Sequence, residues 1–188
     1  MPLCFAYGSN MNRVAMAARC PHSKALGVAR LQRHRFAIMP EGYANVVRDP
    51  SSTVYGVLWD VSRADMRALD SYEEVGRGLY RKVIQPVLRE TGGGARALVY
   101  MGQGAGARPK PGYLEKVLAA ARDWQLPERY IRELEGHAVG RPMTPRPPVA
   151  QSAHIRPALD ESAAMGEAAA PGVRRVRPRY ATPFDRRN

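Results

Sequence analysis

The sequence predicts an α+β fold, with one hydrophobic core built from strands and a few helices over residues 1–137 and a basic appendage at 138–188. Three observations carry that expectation. Short segments of alternating apolar residues, rich in valine, leucine and isoleucine, recur through the first hundred positions. Helical spacing takes over beyond Gly112. Beyond His137 the chain turns to proline, alanine and arginine, with eight of its sixteen prolines in the last 51 residues. At 188 residues the chain supports one sizeable core and is short for two.

Taken in order, strands are expected at Leu3 to Tyr7, His34 to Ile38, Ala44 to Val47, Thr53 to Trp59, Lys82 to Leu88 and Ala95 to Met101. Met11 to Met16 is able to open a helix after the first strand. Ser62-Arg63-Ala64-Asp65 has the form of a capping box, in which the Ser62 hydroxyl accepts an orphan N–H, and the helix it starts ends just ahead of Glu73. Tyr113, Val117, Leu118, Ala121 and Trp124 share one face of a longer helix from about Gly112 to Trp124. Pro127 suits the first turn of a last helix carrying Tyr130, Ile131 and Leu134. Residues 138–188 bury too little apolar surface to offset their ordering entropy and are expected to be mostly disordered.

Composition narrows the function classes. The first residues, Met1 to Tyr7, have neither a basic start nor a long apolar run, and no stretch reaches the roughly 18 apolar residues of a membrane span. The expected location is cytoplasmic, with no membrane partner. Cys4 and Cys20 lack CxxC or histidine-rich spacing, so no disulfide framework and no metal site is indicated. The net charge of +12 raises a nucleic-acid hypothesis, but only four of the 29 basic residues are lysine and the arginines are scattered. Residues 1–137 carry a net +7 and residues 138–188 a net +5, so only the tail is dense enough to keep nucleic-acid binding open as an alternative.

Two patches carry chemistry. Tyr7-Gly8-Ser9-Asn10 leaves an apolar strand in a small-residue turn whose successive backbone N–H groups are able to cradle a carboxylate or a developing oxyanion. Read alone, such a turn is ordinarily structural. The second patch, Leu69-Asp70-Ser71-Tyr72-Glu73-Glu74-Val75-Gly76-Arg77-Gly78-Leu79-Tyr80, sets two adjacent carboxylates at a helix exit before a return to strand. One acid that turned inward would have its pKa raised by burial, as a group that must both take and return a proton requires. A pair of solvated surface acids is the plainer alternative.

Together these patches resemble the γ-glutamylcyclotransferase-like family, which includes the γ-glutamylamine cyclotransferases and the plant avirulence-induced (AIG2-like) proteins. The resemblance runs through Phe5-Ala6-Tyr7-Gly8-Ser9-Asn10-Met11 with Arg13, then Ala44-Asn45-Val46-Val47 and Val54-Tyr55-Gly56-Val57-Leu58-Trp59. Leu69-Asp70 with Glu73 and Tyr80, and Pro109 with Tyr113, complete it over about residues 3–137. It implies a compact mixed β-barrel with helices packed around it. It also implies that Tyr7, Gly8, Ser9 and Asn10 line a pocket for a small-molecule γ-glutamyl substrate, with Tyr113 a further pocket candidate. The family's catalytic carboxylate ends the Leu-Asp-x-x-Glu word, which selects Glu73 here. Family members often continue with glycine where this chain has Glu74, so the residues leave open which acid faces inward.

The implied reaction closes a γ-glutamyl group to 5-oxoproline and releases an amine, with Glu73 as acid/base and no metal or cofactor required. Three alternatives remain: Ser9 as a nucleophile with His22 or His34 as base, a basic binding module acting through the tail, and a cyclotransferase fold without catalysis. The acceptor half of the substrate and the oligomeric state are not legible in the residues.

Overall fold

The computed structural model describes residues 2–138; the expected tail lies, from residue 139 on, outside the described residues. Five strands close a barrel in the order β1-β3-β2-β4-β5: β1 (Leu3–Ala6), β2 (Lys24–Ile38), β3 (Ala44–Asp60), β4 (Arg81–Arg89) and β5 (Gly94–Met101). Every neighbouring pair is antiparallel except β1 and β5, which join in parallel where Cys4 faces Leu98. The barrel is therefore mixed, as the family resemblance implies. Among the described residues four α-helices accompany it: α1 (Arg13–Arg19), α2 (Arg63–Tyr72), α3 (Tyr113–Asp123) and α4 (Glu128–Gly136).

Two sequence expectations need correction. The strand expected at His34 to Ile38 begins ten residues earlier, at Lys24, and the segments at Ala44 to Val47 and Thr53 to Trp59 are one continuous strand. Residues 24–33 hide their strand character because several side chains are exposed and Gly27, at φ 105°, interrupts the alternation at a register shift. Opposite them, Asp49-Pro50-Ser51-Ser52 has turn chemistry, but it forms an irregularity inside β3. Gln32 faces Thr53 and His34 faces Arg48, so four residues bulge against Arg33, which takes φ 60°. The Asp49 carboxylate accepts from the Ser51 amide at 3.0 Å and from both serine hydroxyls, giving the bulge internal bonds in place of the ladder.

The helices form where expected and are tied to the barrel by specific groups. Ser62 caps α2, its hydroxyl accepting from the Asp65 amide at 3.0 Å. The Asp65 carboxylate in turn accepts from the His22 backbone N–H at 2.9 Å. At the other end of α2, Leu69 is fully buried, while Asp70 accepts from the Tyr100 hydroxyl at 2.6 Å and from Lys82 Nζ at 2.7 Å. That last turn is thereby pinned to β4 and β5. Tyr55 and Trp59, on one face of β3, meet Tyr130 of α4 and Trp124 at the end of α3, with ring centroids 5.3 and 6.1 Å apart. Pro127 sits one position earlier than expected, as the residue capping α4. Leu134 in α4 is fully buried, and truncating such a side chain to alanine costs about 2–5 kcal/mol.

β1 and β3 approach so closely that position 56 must be glycine: a Cβ there would stand 2.2 Å from the Ala6 carbonyl oxygen. This close pairing fixes the end of β1, from which the Tyr7 to Asn10 turn leaves.

Candidate active site

Glu73 is the residue that ends α2, with φ −82° and ψ 4°, its backbone N–H donating to the Leu69 carbonyl at 2.9 Å. The next residue, Glu74, adopts the left-handed conformation at φ 48°, reversing the chain into a 3-10 turn at Val75–Arg77. A reversal of this kind suits glycine, and an ordinary side chain there carries strain of about 1–3 kcal/mol. Its geometric result is a separation of the two acids. Glu73 is buried at 9% exposure, while Glu74 stays half-exposed and lies 3.3 Å from Arg77 Nη1. The doubt about which acid faces inward is thus answered by the backbone.

On the opposite wall, β1 ends and Gly8 leads into a 3-10 turn at Ser9–Met11. A Cβ on Gly8 would come within 3.0 Å of the Tyr113 hydroxyl and 3.1 Å of the Ala44 methyl, so glycine lets the turn lie flat against both. The first N–H groups of such a turn have no acceptor within it. Trp124 Nε1 donates to the Met11 carbonyl at 2.7 Å, holding the far end of the turn against α3. Asn10 is buried, and its Nδ2 donates to Glu73 Oε1 at 2.5 Å. Beside it, the Ser9 and Tyr72 hydroxyls lie 3.2 Å apart.

Glu73 and this turn face each other across a cavity of about 280 Å³ that Tyr43, Tyr80, Tyr100 and Tyr113 also line. The tyrosines are anchored to the main chain. Tyr7 donates to the Tyr100 carbonyl at 2.5 Å, Tyr80 donates to the Ala44 carbonyl at 2.6 Å, and Tyr113 accepts from the Ala44 amide at 3.1 Å. Burial pushes the Tyr7 and Tyr80 phenols well above their ordinary value and Tyr113 up to about 12, so all three stay neutral in neutral solution. Burial likewise pushes the Glu73 carboxyl up to about 7, against the Asn10 hydrogen bond and the Arg19 charge, which both lower it. A carboxyl so poised exchanges its proton near neutral pH.

All five pocket residues expected from the sequence, Tyr7, Gly8, Ser9, Asn10 and Tyr113, line the same cavity as Glu73. The nucleophile alternative is not assembled. His22 Nδ1 lies 3.2 Å from Asp65, His34 Nδ1 donates to the Gln32 carbonyl at 2.9 Å, and no histidine lines the cavity among the described residues. Tyr43 and Tyr100 escape a sequence reading because only closure of the barrel brings them beside Glu73, and Tyr72, although next to Glu73 in the chain, carries no signal of its own. Tyr80 serves there only as a spacing marker, whereas in the structure its ring is part of the wall. Among the described residues no cluster of His, Cys, Asp and Glu has the arrangement to hold a metal ion.

Barrel and cavity together define the class: a closed mixed barrel with one carboxyl buried in an aromatic pocket of small-molecule size. A family model described as the AIG2-like family matches residues 53–134. The γ-glutamylcyclotransferase of Homo sapiens is 28% identical over 144 residues, covering 71% of this chain and 77% of the human protein. That of Mus musculus is 29% identical over the same shares. A solved γ-glutamyl cyclotransferase structure, 26% identical, matches with a TM-score of 0.66 over 71% of this chain and 86% of its own. In sequence and in fold the chain is thus similar to the γ-glutamylcyclotransferases and to the AIG2-like family.

Proposed function

We propose that the protein is a γ-glutamylcyclotransferase-type enzyme that converts a γ-glutamyl amino acid, peptide or amine to 5-oxoproline and the free amine. The observation that carries this reading is the Glu73 carboxyl, buried in the cavity, bonded to Asn10 and raised to about 7. The similarity to γ-glutamylcyclotransferases supports the reaction type. The cavity, at about 280 Å³, sits near the lower end of ligand pockets, roughly 300 Å³ and upward, and so suits a group of amino-acid size.

In this reaction the α-amine of the γ-glutamyl group attacks its own side-chain carbonyl. One C–N bond forms as the five-membered ring closes, the amide C–N bond to the acceptor breaks, and no water is consumed. Ionised Glu73 takes a proton from the α-ammonium, then returns it to the departing amine, so the carboxyl ends the cycle as it began. N–H groups of Gly8, Ser9 or Asn10 steady the tetrahedral oxyanion. Tyr113, held against Ala44 and Gly8, shapes the wall on which the substrate folds for closure. Residues 1–137 suffice for this chemistry, and 138–188 lie outside it. The test is release of 5-oxoproline from γ-glutamyl-alanine, glutathione or γ-glutamyl-lysine by the purified chain, with Glu73→Gln as the inactive control.

A further inference from the structure

Arg19 closes α1 and is half-buried, and no sequence pattern connects it to the acid at position 73. Its guanidinium nevertheless makes two contacts beside that acid. Nη1 donates to Asn10 Oδ1 at 2.7 Å, and the guanidinium carbon lies 3.5 Å from the centroid of the Tyr72 ring. Asn10 and Tyr72 come from segments that meet residue by residue, Ser9 with Tyr72 and Asn10 with Glu73. One cation therefore spans both pairs.

The direction of these bonds follows from donor chemistry. A guanidinium donates and never accepts, so Asn10 must turn its carbonyl oxygen to Arg19, which leaves the amide NH₂ for Glu73. Without that donor the amide is free to turn its oxygen toward the carboxylate and repel it. We infer that Arg19 is a positioning residue for the acid/base: through Asn10 and the Tyr72 ring it fixes the side-chain geometry that holds the Glu73 carboxyl in the cavity. The inference rests on reading Glu73 as the acid/base.

The other groups around Glu73 leave this role to Arg19. Cys4 and Tyr7 from the β1 side, Tyr80 ahead of β4, Tyr100 of β5 and Tyr113 of α3 are all pushed upward by burial and stay neutral. On its own helix, Asp70 is paired with Lys82 at 2.7 Å, and the following Glu74 is paired with Arg77. Among the described residues, Arg19 is the cation whose charge opposes the effect of burial on Glu73. Removing it leaves desolvation less opposed and moves the carboxyl further upward.

The test uses the full chain, labelled with ¹³C in its glutamate carboxyls, with the Glu73 signal assigned by its loss in Glu73→Gln. In Arg19→Met the titration midpoint of Glu73 is expected to rise by about one unit, and Arg19→Lys, which restores charge without the planar fork, returns it toward the wild-type value. In 5-oxoproline release, the ascending limb of the kcat–pH profile moves by the same amount, with KM changed less than kcat. If Arg19→Met does not fold, Arg19→Gln replaces it and the same rise is expected. Coincident Glu73 titrations in the wild type and the neutral variant overturn the inference. A wild type that releases no 5-oxoproline overturns the functional reading instead, and leaves the titration result standing.

Discussion

Replacing Glu73 with Gln is expected to yield a protein that is inactive yet more stable than the wild type above neutral pH. Burial raises the Glu73 pKa from 4.5 to about 7, so the folded state binds that proton more tightly than the unfolded chain does. For such a group the stabilisation is fully present below the unfolded pKa and is lost as pH rises through the folded one. At about 1.4 kcal/mol per unit, ionising the carboxyl removes about 3 kcal/mol between pH 4.5 and about 7. The side chain is 9% exposed, so solvent screens little of this. Glutamine does not titrate and keeps an oxygen to accept from Asn10 Nδ2, so the variant resembles the protonated wild type at every pH. The advantage of Glu73→Gln over the wild type should therefore be near zero at about pH 4, grow through the window and level off above about pH 8. In thermal unfolding the plateau corresponds to roughly 10 °C. Urea unfolding of both proteins across that range measures it, and differencing the two removes the contributions of all other titrating groups. A difference independent of pH would refute the assignment of a raised carboxyl to Glu73, and a difference of opposite sign would show that its charge is stabilised by the fold.

Three further outcomes follow from the same geometry. The kcat/KM for 5-oxoproline release should rise about tenfold per unit below, and level off above, about pH 7, since the ionised carboxyl starts the cycle; a profile flat from about pH 5 to 8 contradicts this. Glu74→Gly should stabilise the chain by about 1 kcal/mol in urea unfolding, because glycine occupies the φ 48° conformation without strain and the exposed pair with Arg77 contributes little, while kcat/KM stays within about twofold. Removing residues 139–188 should leave 5-oxoproline release unchanged and abolish any salt-dependent retention on nucleic acid; loss of release would assign the tail a part in catalysis.

The parts of this protein that are legible in its sequence are those where the chain itself brings the relevant residues together. Tyr7 to Asn10 and Leu69 to Glu73 are contiguous words, one ending a strand and the other ending a capped helix, so each is readable without knowledge of the fold. The structure gives the second word its physical sense. Leu69 enters the core, Asp70 binds Tyr100 and Lys82, and the acid three residues later is thereby aimed into the barrel wall. The choice between Glu73 and Glu74 is not local in the same way, because it turns on a left-handed residue that glutamate seldom adopts. The long strands were obscured for an opposite reason: Asp49-Pro50-Ser51-Ser52 reads as a turn, and only pairing with the irregular Gln32 to His34 stretch makes it a bulge. Arg19, Tyr43 and Tyr100 have no sequence signature at all. Their meeting depends on closure of the barrel between β1 and β5 and on α1 folding back across the end of α2.

The central claim, that this chain closes γ-glutamyl groups through Glu73, is tested most directly by 5-oxoproline release from a panel of γ-glutamyl amino acids, peptides and amines. The wild type is expected to release 5-oxoproline from at least one of them. Glu73→Gln should lose about 10²–10⁴ in kcat while binding and fold persist, and Glu74→Gln should stay within a few-fold of the wild type. Full activity in Glu73→Gln, or loss of activity confined to Glu74→Gln, would contradict the account.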